Sequence, residues 1–215
     1  MGRFFGMMPG MVSLSYPFSE RVVRSLKTGD RVQVSGTLFT GRDRLHAFLA
    51  GGGACPVSLR DGALFHCGPV VLRENEKWRV RAAGPTTSIR EEPYMAQVIA
   101  THGVRLIIGK GGMGAETLAA CHTHGCAYLQ AVGGAAAVIA RHIVSVEGVH
   151  FLDTFGSAEA LWQMTVRGLD LVVGMDSHGN SLYENVAQVS RRAANQLMSP
   201  ASQETCATLP QGGMP

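Results

Sequence analysis

The sequence predicts an α/β protein, and three observations support this fold class. Hydrophobic residues make up 46% and charged residues 16% of the 215 positions, a composition that can bury a large core and argues against disorder. The first half of the chain shows short β-type runs between turns. From residue 88 onward, buried strands alternate with helical segments, as in α/β proteins. The length favours one domain with short additions.

The first half contains one helix start and several strand patterns. Residues 1–18 are interpreted as a flexible leader, and Ser19 can cap a short helix at the start of the domain. Alternating apolar residues predict a pair of strands around Gly36, and a helix is predicted over residues 42–50. Three further strands are predicted over residues 64–66, 70–72 and 77–82, the last two joined by a turn at 74–76.

The second half alternates between the two kinds of element. Ser88 and Glu91 have the spacing of a capping box, which predicts a helix running to Gly103. Strands are then predicted over residues 104–108, 127–131, 161–166 and 169–175, and helices over 115–124, 135–141 and 183–198. Residues 199–215 are rich in Pro, Gly, Ser and Gln and predict a disordered tail. The domain is therefore expected over residues 19–198.

Composition also limits the possible functions. The net charge is only +3 and 7% of residues are aromatic, which gives no support for nucleic-acid binding. The longest apolar run is too short to cross a membrane, and the first residues make a poor secretory signal. Five cysteines without a regular framework indicate free thiols, so a cytoplasmic location is expected. No cysteine spacing predicts a metal site.

Three segments between a strand and a helix carry cations suited to anion binding. They are Gly-Lys-Gly-Gly-Met-Gly with Lys110, Gly-Pro-Thr-Thr-Ser-Ile-Arg with Thr86 and Arg90, and Thr-Gly-Arg-Asp with Arg42. Backbone N–H groups at a helix start, together with a guanidinium or ammonium group, favour anions. Each segment could also be an ordinary turn or helix cap. Three in one small domain suggest a ligand with two or more carboxylates.

Other interpretations of these motifs are weaker. The glycines at 109, 111 and 114 fit a dinucleotide-binding fingerprint, but the strand ending at Gln130 lacks the acid that holds a ribose hydroxyl. An oxidoreductase and a stand-alone dicarboxylate-binding module remain as alternatives. Residues 176–180 form either a plain turn or an edge of the site. The histidines are scattered without ligand spacing, so each is expected to be a packed or surface imidazole.

Taken together, G-P-T-T-S-x-R, G-K-G-G-M-G and T-x-R-D resemble the β subunit, or C-terminal domain, of class I iron–sulfur hydro-lyases. This family includes class I fumarases and L(+)-tartrate dehydratases. The resemblance runs from about residue 26 to residue 184 and extends to D-S-H-G-N at 176–180 and G-G-A-A at 133–136. The chain departs from the family at Glu91, because Met commonly follows the motif arginine.

The resemblance implies a swivelling β/β/α three-layer domain that docks on a larger α subunit, in a hetero-oligomer such as α2β2. Three cysteines of that α subunit would hold a [4Fe–4S] cluster, whose open iron acts as a Lewis acid. By motif position, Arg42, Arg90 and Lys110 look like carboxylate anchors and Thr86 like the proton-transfer hydroxyl. A threonine hydroxyl is too weak an acid to act unaided, so a carboxylate from the other subunit is expected to activate it.

Two segments bear on the substrate. The stretches at 133–137 and 159–162 look more like fumarases, so reversible hydration of fumarate to malate is expected. An L(+)-tartrate dehydratase β subunit is the alternative.

Overall fold

The computed structural model describes residues 10–198. Nine strands lie in this range: β1 Met11–Ser15, β2 Arg31–Gly41, β3 Ala63–His66, β4 Val70–Glu74, β5 Lys77–Ala82, β6 Leu106–Gly109, β7 Ala127–Gln130, β8 Ile143–His150 and β9 Leu161–Met175. The helices in the same range are α1 Glu20–Val23, α2 Asp43–Ala50, α3 Glu92–His102, α4 Ala115–His124, α5 Ala136–Ala140, α6 Leu152–Phe155 and α7 Leu182–Leu197, with a 3₁₀ turn at Ser88–Glu91. Helix α7 belongs to a separate unit that begins at Leu182.

Seven strands form one sheet in the order β1-β2-β3-β6-β7-β9-β8, while β4 and β5 pair as a separate antiparallel hairpin. Strands β1, β2, β3, β6 and β7 are parallel to their neighbours in that order. The long strand β9 runs antiparallel to β7, β8 and β2. Because β9 joins β7 back to β2, the hydrogen-bonded strands β2, β3, β6, β7 and β9 close into a ring.

The core is built from the short parallel strands. Every residue of β3 and of β6 is buried, as expected for strands covered on both faces. Helices α2, α3 and α4 pack in succession, and the β4–β5 hairpin packs near β8 and α5. Trp78 of the hairpin meets Trp162 of β9 edge to face, with ring centroids 5.2 Å apart. Such aromatic pairs contribute about 0.5–1.5 kcal/mol beyond the burial of their surface.

The α/β prediction is confirmed, while several element boundaries are wrong. The strand pair expected around Gly36 is one strand, β2, with a shift in register at that glycine. The two late strands are likewise one, β9. Strand β8 and helix α6 were not predicted. Helix 42–50 is confirmed as α2, with Arg42 at its N-cap.

The predicted leader of residues 1–18 is wrong for its second half. Residues 11–15 form β1, which pairs in register with β2, and both Leu14 and Phe18 lie in the hydrophobic core. The folded part therefore begins before the expected boundary at residue 19. Residues 1–9 and the predicted tail at 199–215 lie outside the described residues. None of the helices within residues 10–198 has the length and apolar character needed to cross a membrane.

Candidate functional site

Four parallel strands end at the same edge of the sheet and carry polar residues there. Strand β2 ends at Gly41, β3 at His66, β6 at Gly109 and β7 at Gln130. We call the residues that follow these strands the carboxyl edge, together with residues 85–90, which pair with Cys67 and Lys110 there. Ligands of α/β sheets usually bind beyond the carboxyl ends of the strands. A ligand site is therefore expected at this edge.

The predicted residues Arg42 and Arg90 come together at this edge. Both guanidinium groups approach one carboxylate oxygen of Asp43, at 3.3 Å for Arg90 and 4.0 Å for Arg42. Arg42 Nε also lies 3.6 Å from Glu159, whose other oxygen accepts a hydrogen bond from the backbone N–H of Arg44. The side chains remain 24% (Arg42) and 46% (Arg90) exposed, so carboxylates orient both arginines while leaving them accessible.

Thr86 and Lys110 are brought side by side by backbone pairing. The Lys110 N–H donates to the Thr86 carbonyl oxygen at 3.3 Å, and the Ser88 N–H donates to the Lys110 carbonyl oxygen at 3.0 Å. The Thr86 hydroxyl donates to the carbonyl oxygen of His66 at 3.1 Å. Its hydroxyl hydrogen is thus engaged, while the oxygen still has capacity to accept a hydrogen bond.

The two pairs lie at the same edge because the loop after β3 touches both. A Cβ at Gly68 would stand 3.0 Å from Arg42 Cδ, so the arginine lies over this loop. The neighbouring Cys67 forms an isolated β-bridge with Pro85, the residue before Thr86. All four predicted site residues are therefore at the carboxyl edge.

The prediction of an anion site at the start of α4 is wrong in one respect, because the backbone N–H groups there already donate to a side chain of this chain. The carboxylate of Glu92 accepts hydrogen bonds from the backbone N–H groups of Gly114, Glu116 and Thr117 and from the Thr117 hydroxyl. An internal carboxylate thus satisfies the helix terminus. Lys110 precedes this helix, but the helix start itself is not open to a ligand.

The predicted capping box of Ser88 and Glu91 is also wrong. Residues 88–91 form a 3₁₀ turn, and no side chain caps the turn or α3. Ser88 instead points inward, and Glu91 is fully buried. Burial raises the pKa of Glu91 to about 8, with repulsion from Asp43 and Glu159 adding to the increase and Arg90 opposing it.

A buried polar group that the sequence analysis did not predict lies beneath the site. We call it the histidine cluster: His46, His66, Ser88 and Tyr128. The two imidazole rings meet edge to face at 4.9 Å, and the Ser88 hydroxyl lies 2.9 Å from both His66 Nδ1 and the Tyr128 hydroxyl. His46 Nδ1 lies 2.8 Å from the carbonyl oxygen of Arg42, so it carries the hydrogen and donates it.

Both imidazoles are neutral at pH 7. Burial lowers the pKa of His46 to about 4, against the opposing effect of its hydrogen bond to Arg42. Burial, followed by the charge of His46, lowers the pKa of His66 well below its usual value. The prediction of packed imidazoles is confirmed for these two. The sequence contains one signal for the histidine cluster: His46 lies one helical turn after Arg42, on the same face of the predicted helix.

The segment at 176–180 is a structural turn. The Asp176 carboxylate accepts hydrogen bonds from the backbone N–H groups of Thr28, His178 and Asn180. Although burial raises the pKa of Asp176, hydrogen bonds from the side chain and backbone of Asn180 and from the backbone of Thr28 and His178 together lower it. The preceding residue, Met175, pairs with Tyr128 near the start of β7, at the edge opposite the site.

The described residues do not fit an iron–sulfur cluster. Cys67, Cys121 and Cys126 are buried, and Cys55 is partly exposed. No three Cys, His, Asp or Glu side chains in residues 10–198 are grouped as metal ligands would be. The cluster that the resemblance implies therefore has no set of ligands in the described part of this chain.

Comparisons with known proteins agree on one family. The family model described as Fumarase C-terminus matches residues 9–186. The chain is 47% identical over 191 residues to "Putative fumarate hydratase class I" of Geobacillus stearothermophilus. It is 36% identical over 193 residues to "Putative L(+)-tartrate dehydratase subunit beta" of Methanocaldococcus jannaschii, and 34% identical over 171 residues to the L(+)-tartrate dehydratase subunit beta of Escherichia coli K12.

The coverage differs among these relatives. The alignment with the Geobacillus protein takes in 88% of this chain but only 37% of that protein. The alignment with the Methanocaldococcus subunit takes in 86% of this chain and 99% of the subunit. The chain thus matches part of one relative and nearly the whole of another.

Proposed function

Because the chain belongs to the Fumarase C-terminus family, we propose that it is the β subunit of a class I iron–sulfur hydro-lyase that reversibly hydrates fumarate to malate. The observation that carries the proposal is the pair Arg42 and Arg90, joined by Asp43 and still accessible to solvent. Lys110 adds a third cation at the same edge. Guanidinium groups hold carboxylates through paired hydrogen bonds, so this arrangement suits a dicarboxylate.

The cations have a chemical role beyond binding. Removing a proton from the carbon next to a carboxylate places a second negative charge on that carboxylate. Arg42, Arg90 and Lys110 would stabilise this charge more in the transition state than in the ground state, which is the condition for acceleration. Asp43 holds the two guanidinium groups in place before the substrate arrives, which lowers the cost of ordering them.

Thr86 is proposed as the hydroxyl that moves the proton. Thr86 lies beside Lys110 and therefore next to the anchors. Its hydroxyl donates its hydrogen to the carbonyl oxygen of His66, while the hydroxyl oxygen can still accept a hydrogen bond. A threonine hydroxyl needs a base to lose its proton at pH 7. In the proposed enzyme this base is a carboxylate of the partner subunit.

The partner is proposed from the family and from the cysteines. A [4Fe–4S] cluster on an α subunit would supply the Lewis acid, since the described cysteines of this chain are not grouped as ligands. The complex would be a hetero-oligomer such as α2β2 in the cytoplasm, with this chain as a swivelling β/β/α domain. The full-length match to a subunit named beta supports this arrangement.

Tartrate dehydration is the second candidate, and the names of the Methanocaldococcus and Escherichia relatives favour it. The higher identity to the Geobacillus protein favours fumarate. Malate, the hydrated form of fumarate, differs from tartrate by one hydroxyl. A site built to hydrogen-bond that hydroxyl rejects an analogue lacking it by about 10⁴-fold, so the two activities are readily separated.

The experiment is co-purification followed by assay. A tagged chain should retain a neighbouring protein that carries three cluster cysteines, and the anaerobically reconstituted pair should hydrate fumarate. Each chain alone should be inactive. A preference for L-tartrate over malate would make tartrate the substrate. A stoichiometric iron–sulfur absorption band on the isolated chain would contradict the proposal that the partner subunit holds the cluster.

A further inference from the structure

Glu91 is a buried carboxyl group next to the proposed anchors. It is the residue after Arg90, and its side chain is 0% exposed. No N–H or O–H group in residues 10–198 donates to either carboxyl oxygen, and a hydrogen bond with the Asp43 carboxyl requires a proton between the two groups. Burying an ionised carboxylate without partners is costly, so such a group keeps its proton to a higher pH than usual.

The groups facing Glu91 do not neutralise it. From α2, Asp43 and His46 face it, Glu159 acts from the turn before β9, and Arg90 lies on the same 3₁₀ turn. His46 Nδ1 lies 3.7 Å from a Glu91 carboxyl oxygen, but its hydrogen is donated to the carbonyl oxygen of Arg42. Two of the four facing groups are carboxylates. The surroundings therefore favour the protonated form of Glu91.

The charge balance of the site then depends on Glu91. Arg42 and Arg90 carry two positive charges, and the carboxylates that form ion pairs with them, Asp43 and Glu159, carry two negative charges. With Glu91 protonated these charges cancel. An ionised Glu91 adds a third carboxylate beside Arg90 and offsets Lys110, the third cation of the edge, so an incoming dianion no longer meets a net positive charge.

We propose that Glu91 controls dicarboxylate binding through its proton: protonated Glu91 leaves the Arg42–Arg90 pair available to a dianion, and ionised Glu91 weakens binding. Glu91 acts through the arginines and is a positioning residue. The inference rests on the proposed function. Since the dianion binds best to the protonated site, affinity falls as the pH rises through the range where Glu91 ionises, provided that the ligand stays a dianion.

The test uses succinate, a dicarboxylate that cannot be hydrated and stays a dianion from pH 7 to pH 9. Its inhibition constant against fumarate hydration is measured at fixed ionic strength in the reconstituted complex. If Glu91 ionises near pH 8, the inhibition constant should rise by about tenfold between pH 7 and pH 9. Glu91→Gln and Glu91→Met should abolish this rise. Glu147→Gln, at an exposed position on β8, should retain it.

A second measurement needs no enzyme activity. The side-chain carboxyl of Glu91, followed by carbon NMR in the isolated full chain, should titrate near pH 8, and a midpoint at pH 4–5 would overturn the inference. An active complex in which Glu91→Gln keeps the full pH dependence would overturn the inference alone. A complex that neither hydrates fumarate nor binds succinate would instead overturn the proposed function, and the inference with it.

Discussion

Gly109, the last residue of β6, is predicted to be intolerant of any side chain because the histidine cluster occupies the space beside it. A Cβ at this position would lie 1.9 Å from Ser88 Oγ, 3.0 Å from the Tyr128 hydroxyl and 3.2 Å from His66 Nδ1. No pair of heavy atoms without a covalent bond can be 1.9 Å apart. In Gly109→Ala, Ser88 must therefore leave its place.

The cost follows from what Ser88 holds. Moving its hydroxyl breaks two buried hydrogen bonds of 2.9 Å, one with His66 and one with Tyr128. Each is worth about 1 kcal/mol, and the extra methyl group in a packed core adds about 1–3 kcal/mol. Gly109→Ala should therefore lower the free energy of unfolding by about 3–5 kcal/mol.

Urea denaturation is the assay, with Gly148→Ala as the matched control. Gly148 also lies in a strand, and a Cβ there would meet only His150 Nε2, at an ordinary contact distance of 3.8 Å. The control should change stability by less than about 1 kcal/mol. In a Ser88→Ala background, the 1.9 Å contact is gone and Gly109→Ala should cost at least about 2 kcal/mol less. Two results would refute the clash with Ser88: Gly109→Ala and Gly148→Ala being equally stable, or the destabilisation by Gly109→Ala being the same in the Ser88→Ala background as in the wild type.

Three other predictions concern the site and its surroundings. Thr86→Val should abolish most of kcat while Thr86→Ser keeps a measurable part, and a fully active valine variant would remove Thr86 from the chemistry. Glu92→Ala should lose about 2–4 kcal/mol of stability in urea, because four hydrogen bonds end on its carboxylate, whereas the exposed Glu116→Ala should lose less than about 0.5 kcal/mol. Between pH 6.5 and pH 8 the free energy of unfolding should fall by about 2 kcal/mol, since the unfolded carboxyl of Glu91 is already ionised while the folded one keeps its proton until about pH 8. Glu91→Gln should remove this decline, and a decline that persists would contradict the assignment. Below pH 6.5 the sign for His46 is opposite: the unfolded imidazole binds a proton that the folded one refuses until about pH 4, so its contribution to stability is lost on acidification.

The sequence predicted the elements whose signals are local. Helix α2 and the buried strand β6 follow from apolar spacing and from the residues at their ends. Gly36 shows where local reasoning fails, because a glycine between β-type runs usually marks a turn. In the fold it lies in a bulge of β2 at a φ of 104°, and a Cβ there would come within 2.6 Å of Tyr16 Cβ. The reason for this glycine is a contact with a residue 20 positions earlier.

In the candidate site, too, residues with local sequence signals were predicted and those placed by long-range contacts were missed. Arg42, Arg90 and Lys110 were found because each follows a strand or precedes a helix, and helix starts have recognisable local signals. The histidine cluster was missed because its four members come from separate segments that only the sheet order brings together. The sequence analysis predicted that Glu91 caps a helix, whereas the carboxylate that caps one belongs to the next residue, Glu92. Glu92 caps α4, a different helix, and no local spacing reveals such a contact.

The two arginines at the carboxyl edge are proposed to hold the substrate carboxylates. The most direct measurement is kcat/KM for fumarate hydration by the reconstituted complex carrying Arg90→Lys. This change keeps the positive charge and removes the planar fork, so a loss of about 10²-fold or more is expected. Arg79→Lys, on the exposed face of β5, should leave kcat/KM unchanged. A value near wild type for Arg90→Lys would contradict the account and make Arg90 a surface residue paired with Asp43.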